Sequence, residues 1–250
     1  MMYFSVRKLH VQTAEGKTLL RPTSLEIERG KVIGVYGPNG SGKTTFLRSI
    51  AGVNSHFQIG EVWVDGMQIT HAQNPSSRVH RIMYLGSDYP SPFDIRVREL
   101  MEMGSGFSGK PQSVEHITAE LGLKALNSRL VGTLSDGEKQ WAMFGRALIQ
   151  SPQVMVLDES FSKLDLDKLL HAAKVIQKQA AAGMTFVVAS HDLNFLSEIS
   201  DQLVLMQNGK ILQAGEVRET LNSFYLEKLY PALQLQVIKS PNSGKEKIIY

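Results

Sequence analysis

Along residues 2–35 apolar and polar positions alternate, in "YFSVRKLHV" and again in "SLEIE", where Leu25 and Ile27 share one face. A period of two predicts half-buried strands, and the interruptions at "AEGK" and at Arg29 and Gly30 predict turns between them. The run "KVIGVY" follows as a further strand. "GEVWVDG" repeats the pattern, with Val62 and Val64 facing one way and a turn signal at Asp65 and Gly66. The N-terminal part is therefore expected to be β-rich.

The period then changes. Thr44 to Ala51 reads as a short helix ended by Gly52, and from about residue 93 to 134 the spacing in "VRELMEM" and "VEHITAELGL" is helical, with loops around "GSGFSGKPQS". Beyond that stretch come a helix, "DGEKQWAMFGRALIQ", stopped at Ser151 and Pro152, and a buried strand, "VMVL". The helix "LDKLLHAAKVIQKQAAAG", closed by Gly183, leads to a second buried strand, "TFVVAS", and to the helix "DLNFLSEIS". "LVLMQNGKIL" reads as a hairpin whose Asn208 and Gly209 suit a type I′ turn. Strands alternating with helices predict an α/β core with a largely parallel sheet. The stretch from about 90 to 150 reads as a helical insert within a first unit of residues 1–220. Residues 221–250 read as a C-terminal extension of a helix and short strands.

Composition adds limits to this picture. A chain of 250 residues with 42% hydrophobic content can bury a sizeable core. No apolar run approaches the roughly 18 to 20 residues that span a bilayer, and "MMYFSVRKLH" lacks the order of a secretion signal, so a cytosolic setting is expected. Cysteine is absent, which excludes disulfides and thiolate metal sites. The net charge of +3 is small and dispersed, so nucleic acid is not an expected partner; Lys239, Lys245 and Lys247 near the C-terminus read as solubilising charge.

The chemistry is concentrated in "VYGPNGSGKTTFL". Gly37, Gly42, Lys43 and Thr44 satisfy G-x-x-x-x-G-K-[ST] directly after a strand and before a helix, the setting of a phosphate-binding loop. Glycines let successive backbone N–H groups curl around phosphate oxygens, the helix N-terminus adds partial positive charge, and Lys43 reaches the β- and γ-phosphates. Gly37, Pro38, Asn39, Gly40, Ser41, Gly42, Lys43, Thr44 and Thr45 are thus the expected nucleotide-binding residues, with the Thr44 hydroxyl placed for Mg²⁺. "VMVLDES" ends an apolar strand in Asp158 and Glu159. A carboxylate at the C-terminal end of a parallel strand lies in the crevice of the phosphate loop, so Asp158 fits a Mg²⁺ ligand. Glu159, pointing differently, fits the general base that activates water.

Three further segments give the pattern a family. "LSDGEKQ", Leu134 to Gln140, resembles the signature motif of ATP-binding cassette (ABC) ATPases; "SKLD", Ser162 to Asp165, resembles their D-loop, and His191 after "TFVVAS" their switch histidine. The resemblance implies a P-loop NTPase core of ABC type, α/β, with an N-terminal antiparallel β-subdomain and an inserted helical subdomain. It also implies a head-to-tail homodimer, in which two ATP molecules are sandwiched between Gly37–Thr45 of one copy and the signature, Ser135, Asp136, Gly137 and Glu138, of the other. Catalytic roles fall to Glu159 and His191, the D-loop contact to Asp165, and the metal to Thr44 and Asp158. The Q-loop glutamine of the family aligns with Ser87 near "IMYLGSDYP", which makes Ser87 a weaker metal-site candidate. The adenine-stacking aromatic aligns with Thr13, and Asp136 replaces the commoner second glycine, so its charge must turn away from phosphate.

A single cassette of this kind implies a membrane permease as partner, a substrate-binding protein acting indirectly, and a place on the cytoplasmic face of the membrane. Residues 88–100, "DYPSPFDIRVREL", are candidates for the groove that takes the permease's coupling helix; an ordinary loop is the equal alternative for Tyr89, Pro90 and Phe93. The segment "ETLNSFYLEKLY", with "LQLQVIKS" and "KEKIIY" across a turn at Asn242 to Gly244, resembles the tail of cassettes that energise vitamin B12, haem and iron-siderophore importers. The alternative is a soluble cassette ATPase, for instance one of iron-sulfur assembly. Chromosome-maintenance cassettes would bring heptads or zinc cysteines, and translation-associated ones a second cassette, and the sequence has neither.

Overall fold

The computed structural model describes residues 3–54, 56–69, 81–87, 95–106, 111–232, 236–239, 244 and 246–249. Twelve strands and eight helices, with two 3₁₀ turns, follow one another among these residues. The strands β1 (Phe4–Gln12), β2 (Thr18–Ile27), β4 (Phe57–Val64) and β5 (Met67–Gln68) form an antiparallel sheet in the order β2-β1-β4-β5. A second sheet runs β10-β9-β3-β8-β7-β6. It is built from β3 (Val32–Tyr36), β6 (Ile82–Leu85), β7 (Val154–Asp158), β8 (Thr185–Ala189), β9 (Gln202–Gln207) and β10 (Lys210–Glu216). Its neighbours are parallel throughout except β9 and β10, which form the expected hairpin. Asn208 and Gly209 have φ of 51° and 70°, the two left-handed positions that a type I′ turn needs.

Period two sorts the parallel strands between two cores. Ile33 and Val35, Val154 and Val156, Val187 and Ala189, and Val204 and Met206 face one way. There they meet Phe46, Leu47 and Ile50 of α1 (Lys43–Ile50) and the inner face of the antiparallel sheet. Their neighbours Met155, Leu157, Phe186, Val188, Leu203 and Leu205 face the other way, against α4 (Asp136–Gln150), α5 (Leu166–Ala181) and α6 (Leu193–Ile199). Strands buried on both faces read as unbroken apolar runs, which is why "VMVL" and "TFVVA" were legible.

The stretch expected to be helical contains α2 (Val97–Ser105), α3 (Val114–Glu120) and 3₁₀ turns at Leu123–Leu126 and Val131–Thr133. Val97, Leu100, Met101 and Ile117 pack into the core that holds Trp141, Phe144 and Leu148 of α4. The Trp141 indole N–H donates to the Leu121 carbonyl at 2.8 Å, which ties this layer to α4. The candidate coupling residues 88–94, with Tyr89, Pro90 and Phe93, lie outside the described residues.

Near the C-terminus "ETLNSFYLEKLY" is two helices, α7 (Val217–Thr220) and α8 (Ser223–Leu229), because the Asn222 side chain caps the second by accepting from Tyr225 N–H at 3.2 Å. The strands β11 (Gln236–Lys239) and β12 (Glu246–Ile249) pair antiparallel; most of the expected turn between them lies outside the described residues. This pair docks on α6. The Asn194 side chain accepts from Ile248 N–H at 2.7 Å and donates to Ile248 C=O at 3.3 Å, and Lys247 pairs with Glu198 at 3.1 Å.

Candidate nucleotide site

The loop between β3 and α1 is held from behind by main chain. Gly37 sits where a Cβ would lie 2.2 Å from the Met206 carbonyl oxygen, so any larger residue would meet the backbone of β9. Gly40 and Gly42 have φ of 74° and 101°, a region open to glycine at no steric cost. The turn of the β9–β10 hairpin closes on this loop, with Gly209 N–H donating to Ser41 C=O at 2.9 Å. Arg21 N–H in turn donates to Gly209 C=O. Sequence reasoning found the hairpin and the loop but not their contact, since nothing in the linear order joins Ser41 to Gly209.

A cavity of about 300 Å³ opens at this loop, lined by Asn39, Gly40, Gly42, Lys43, Thr44 and Thr45 together with Leu19 and Glu159. Seven of these eight are residues that sequence reasoning assigned to nucleotide or to water; Leu19 was missed. Thr13, the position aligned with the adenine-stacking aromatic, is not among them; it instead accepts from Lys17 N–H at 3.3 Å within its own turn. Lys43 is 5% exposed. Its ammonium is tied back to the carbonyls of Gly37 at 2.7 Å and Pro38 at 3.3 Å. Burial pushes its pKa down, and the carboxylates of Glu159 and Asp158 pull the other way. The Ser41 hydroxyl is buried without a hydrogen-bond partner, an uncompensated polar atom inside the loop.

Asp158 closes β7 next to the loop's helix. Its Oδ1 accepts from Thr44 Oγ1 at 3.4 Å and its Oδ2 from the Tyr84 hydroxyl at 2.8 Å. Burial raises its pKa; the two hydrogen bonds work against that rise. Tyr84, on β6, was not singled out by sequence. Burial pushes its phenol up to about 12, so it stays a donor at any physiological pH. Ser87 lies two residues past β6, in a bend.

Hard oxygen donors from one hydroxyl and one carboxylate suit Mg²⁺, which keeps several waters and shares its shell with substrate phosphates. No group of three or more His, Asp or Glu that could hold a metal ion occurs among the described residues.

Glu159 takes φ of 53°, a left-handed conformation that turns it away from the line of β7 and costs a non-glycine residue roughly 1 to 3 kcal/mol. Its N–H still donates to Ala189 C=O at 3.1 Å, extending the β7–β8 ladder by one bond. Its Oε1 reaches His191 Nε2 at 2.7 Å, so two residues assigned to catalysis from separate segments are brought together.

The signature residues form the start of α4 and line no part of this chain's cavity. Ser135 caps the helix, accepting from Glu138 N–H at 3.2 Å while Glu138 accepts from Ser135 N–H at 2.8 Å. Asp136 pairs with Lys163 at 2.9 Å, which accounts for where its charge goes. Gly137 lies where a Cβ would be 2.6 Å from the Lys163 carbonyl, and Gln140 accepts from Lys163 N–H at 3.1 Å. Asp165 caps α5, accepting from Lys168 N–H at 2.8 Å.

A hemin import ATP-binding protein of Rhodopseudomonas palustris is 31% identical over 226 residues, 86% of this chain and 83% of its own length. A cobalamin import ATP-binding protein of Halobacterium salinarum is 32% identical over 251 residues, covering 97% of this chain and 62% of the relative. Among solved structures, the ADP conformation of an ATP-binding cassette of an ABC transporter has a TM-score of 0.78 at 25% identity, covering 93% of this chain and 100% of that one. An inward-facing ABC transporter of metal-chelate type shares the fold, with a TM-score of 0.79 at 24% identity over 100% of this chain and 97% of that one. The family model described as ABC transporter matches residues 20–162. That match runs through the phosphate loop, α4 and the strand that presents Asp158, and the chain is a member of the ABC transporter family.

Proposed function

We propose that this chain is the ATP-hydrolysing subunit of a membrane importer for haem, an iron-siderophore or cobalamin. One observation carries the reading: Glu159 lines the same cavity as Lys43 and Thr44 and is joined there to His191. A phosphate seat, a carboxylate at its rim and an imidazole on that carboxylate suit the positioning and charge stabilisation that hydrolysis of a terminal phosphate depends on. The import assignment draws on relatives named for hemin and cobalamin import.

The loop amides and Lys43 bind the phosphates and offset their charge. Thr44 and Asp158 would hold Mg²⁺, which would supply positive charge beside the phosphates. Glu159 accepts the proton of the attacking water, and His191 orients Glu159 and contacts the γ-phosphate side. The second face of the nucleotide comes from another copy of the chain, through its Ser135 and Gly137 at a helix N-terminus whose partial charge favours anions. ATP thus joins a head-to-tail homodimer, and loss of the γ-phosphate loosens it. No helix among the described residues is long and apolar enough to cross a membrane; the partner assigned under this reading is a membrane permease. A substrate-binding protein would act through that permease, with the chain held peripherally at the cytoplasmic face.

The test is phosphate release by the purified chain with Mg²⁺ and ATP, combined with recovery of the chain from detergent-solubilised membranes. Hydrolysis together with co-purification of a polytopic membrane protein supports the reading. A chain that hydrolyses ATP but never accompanies a membrane protein belongs with soluble cassette ATPases, and one that binds no ATP has lost the activity altogether.

A further inference from the structure

Asp158 is 4% exposed, and its two carboxylate oxygens face different elements. Oδ1 looks to Thr44 on α1 at 3.4 Å; Oδ2 takes the shorter bond, 2.8 Å, from Tyr84 on β6. A third residue sets the direction of that shorter bond. Arg48, also on α1, donates from Nε to the Tyr84 hydroxyl oxygen at 3.1 Å, and its guanidinium carbon lies 5.9 Å from the Tyr84 ring centroid. A guanidinium has donors only, so the phenol must accept from Arg48 and give its one proton to Asp158. The chain of bonds therefore has a single sense, Arg48 to Tyr84 to Asp158, and such chains strengthen their members.

The terminal torsion of an aspartate is broad, and a carboxylate bonded weakly at one oxygen can swing. Fixing Oδ2 fixes Oδ1 as well, because the two share one plane. We propose that Tyr84, oriented by Arg48, is a positioning residue: it locks the Asp158 carboxylate so that Oδ1 faces Thr44 and the metal that travels with the nucleotide. The inference rests on the reading of Thr44 and Asp158 as the Mg²⁺ seat. It assigns to β6 a task beyond its place at the sheet edge, and it makes α1 contribute to the metal seat twice, through Thr44 and through Arg48. Partners that orient a metal ligand in this way are worth about 10- to 100-fold in metal affinity.

Binding of the non-hydrolysable analogue AMP-PNP, measured by calorimetry with Mg²⁺ and with EDTA, separates the metal from the nucleotide. Tyr84→Phe keeps the ring and loses the proton. The expected result is unchanged affinity in EDTA, a Mg²⁺-dependent gain reduced by about 10-fold or more, and a matching rise in the Mg²⁺ needed for half-maximal ATP hydrolysis. Arg48→Met, which leaves the Tyr84–Asp158 bond in place but unaimed, should show the same pattern more weakly, and it decides the matter should the Phe variant not fold. A Tyr84→Phe protein with the wild-type gain, or one weakened equally in EDTA and Mg²⁺, overturns the positioning role while the metal seat stands. A wild-type chain whose affinity ignores Mg²⁺ overturns the seat itself, and the inference with it.

Discussion

Nε2 of His191 lies 2.7 Å from Oε1 of Glu159, joining residues just past the ends of β7 and β8. The contact depends on the backbone of Glu159, whose positive φ swings the carboxylate out of the strand while its N–H stays on Ala189. Glu159→Gln preserves size and hydrogen bonding to the imidazole but cannot take a proton. Phosphate release is expected to fall by about 10² to 10⁴, the usual share of a general base, while nucleotide affinity measured by calorimetry is retained. Wild-type turnover in this variant would remove the carboxylate from the chemistry.

Asp158 carries a cost that comes from its burial. Burial holds its pKa above the ordinary aspartate value of 3.8. Between 3.8 and the raised value the folded chain keeps a proton that the unfolded chain has released, so stability falls as pH rises through that window, and the cost is complete above it. Asp158→Asn removes the cost and leaves an acceptor for Tyr84. Without nucleotide the variant should melt above wild type at pH 7, by about 2 to 4 °C for each kcal/mol relieved, with the gap closing as pH falls toward 3.8. Its ATP hydrolysis should collapse at the same time. Scanning fluorimetry across pH, alongside phosphate release, checks both halves; an Asn variant less stable at pH 7 contradicts the account.

Ser135 has two duties under this reading, to cap α4 and to meet a nucleotide held by another copy. Loss of the cap in Ser135→Ala should cost about 1 kcal/mol of stability, visible as a lower Tm. Hydrolysis should suffer more than that loss explains. Mixing Ser135→Ala with Lys43→Ala should restore part of the activity, because a mixed pair retains one site with an intact loop and an intact cap. Mixtures no more active than either variant alone would place the whole site within one chain.

Gly37 is fixed by its neighbour. With the Met206 carbonyl oxygen 2.2 Å from where a methyl group would sit, Gly37→Ala must displace either the loop or β9. A destabilisation of about 1 to 3 kcal/mol is expected, with nucleotide affinity reduced because the amides that follow are moved. A variant with unchanged affinity would show that the loop tolerates the shift.

Much of this was legible in the amino-acid order because the determining interactions are local or periodic. The run Val154–Leu157 declares itself by being apolar at every position, as a strand between two cores must be, and Gly37 to Thr44 by a spacing that a phosphate imposes. Asn208 and Gly209 name their turn through their backbone preferences. Tyr84 could not be read in that way, since its partners Arg48 and Asp158 lie 36 and 74 residues distant and a lone tyrosine beside a strand end carries no pattern. Leu19 at the cavity and the bond from Gly209 to Ser41 were hidden for the same reason. The Asn222 break between α7 and α8 was available in principle, as asparagine is a strong helix cap, but the apolar spacing across it looked continuous.

At the junction between α4 and the segment before α5, Lys163 is used three ways. Lys163 meets Asp136 with its ammonium and Gln140 with its amide hydrogen, while its carbonyl oxygen lies where a Cβ at Gly137 would clash. The bond to Gln140 and the close approach to Gly137 belong to the main chain and survive truncation of the side chain. Mutational scanning by alanine at 163 would therefore report a slack joint, whereas one methyl group added at 137 would pry the same joint apart.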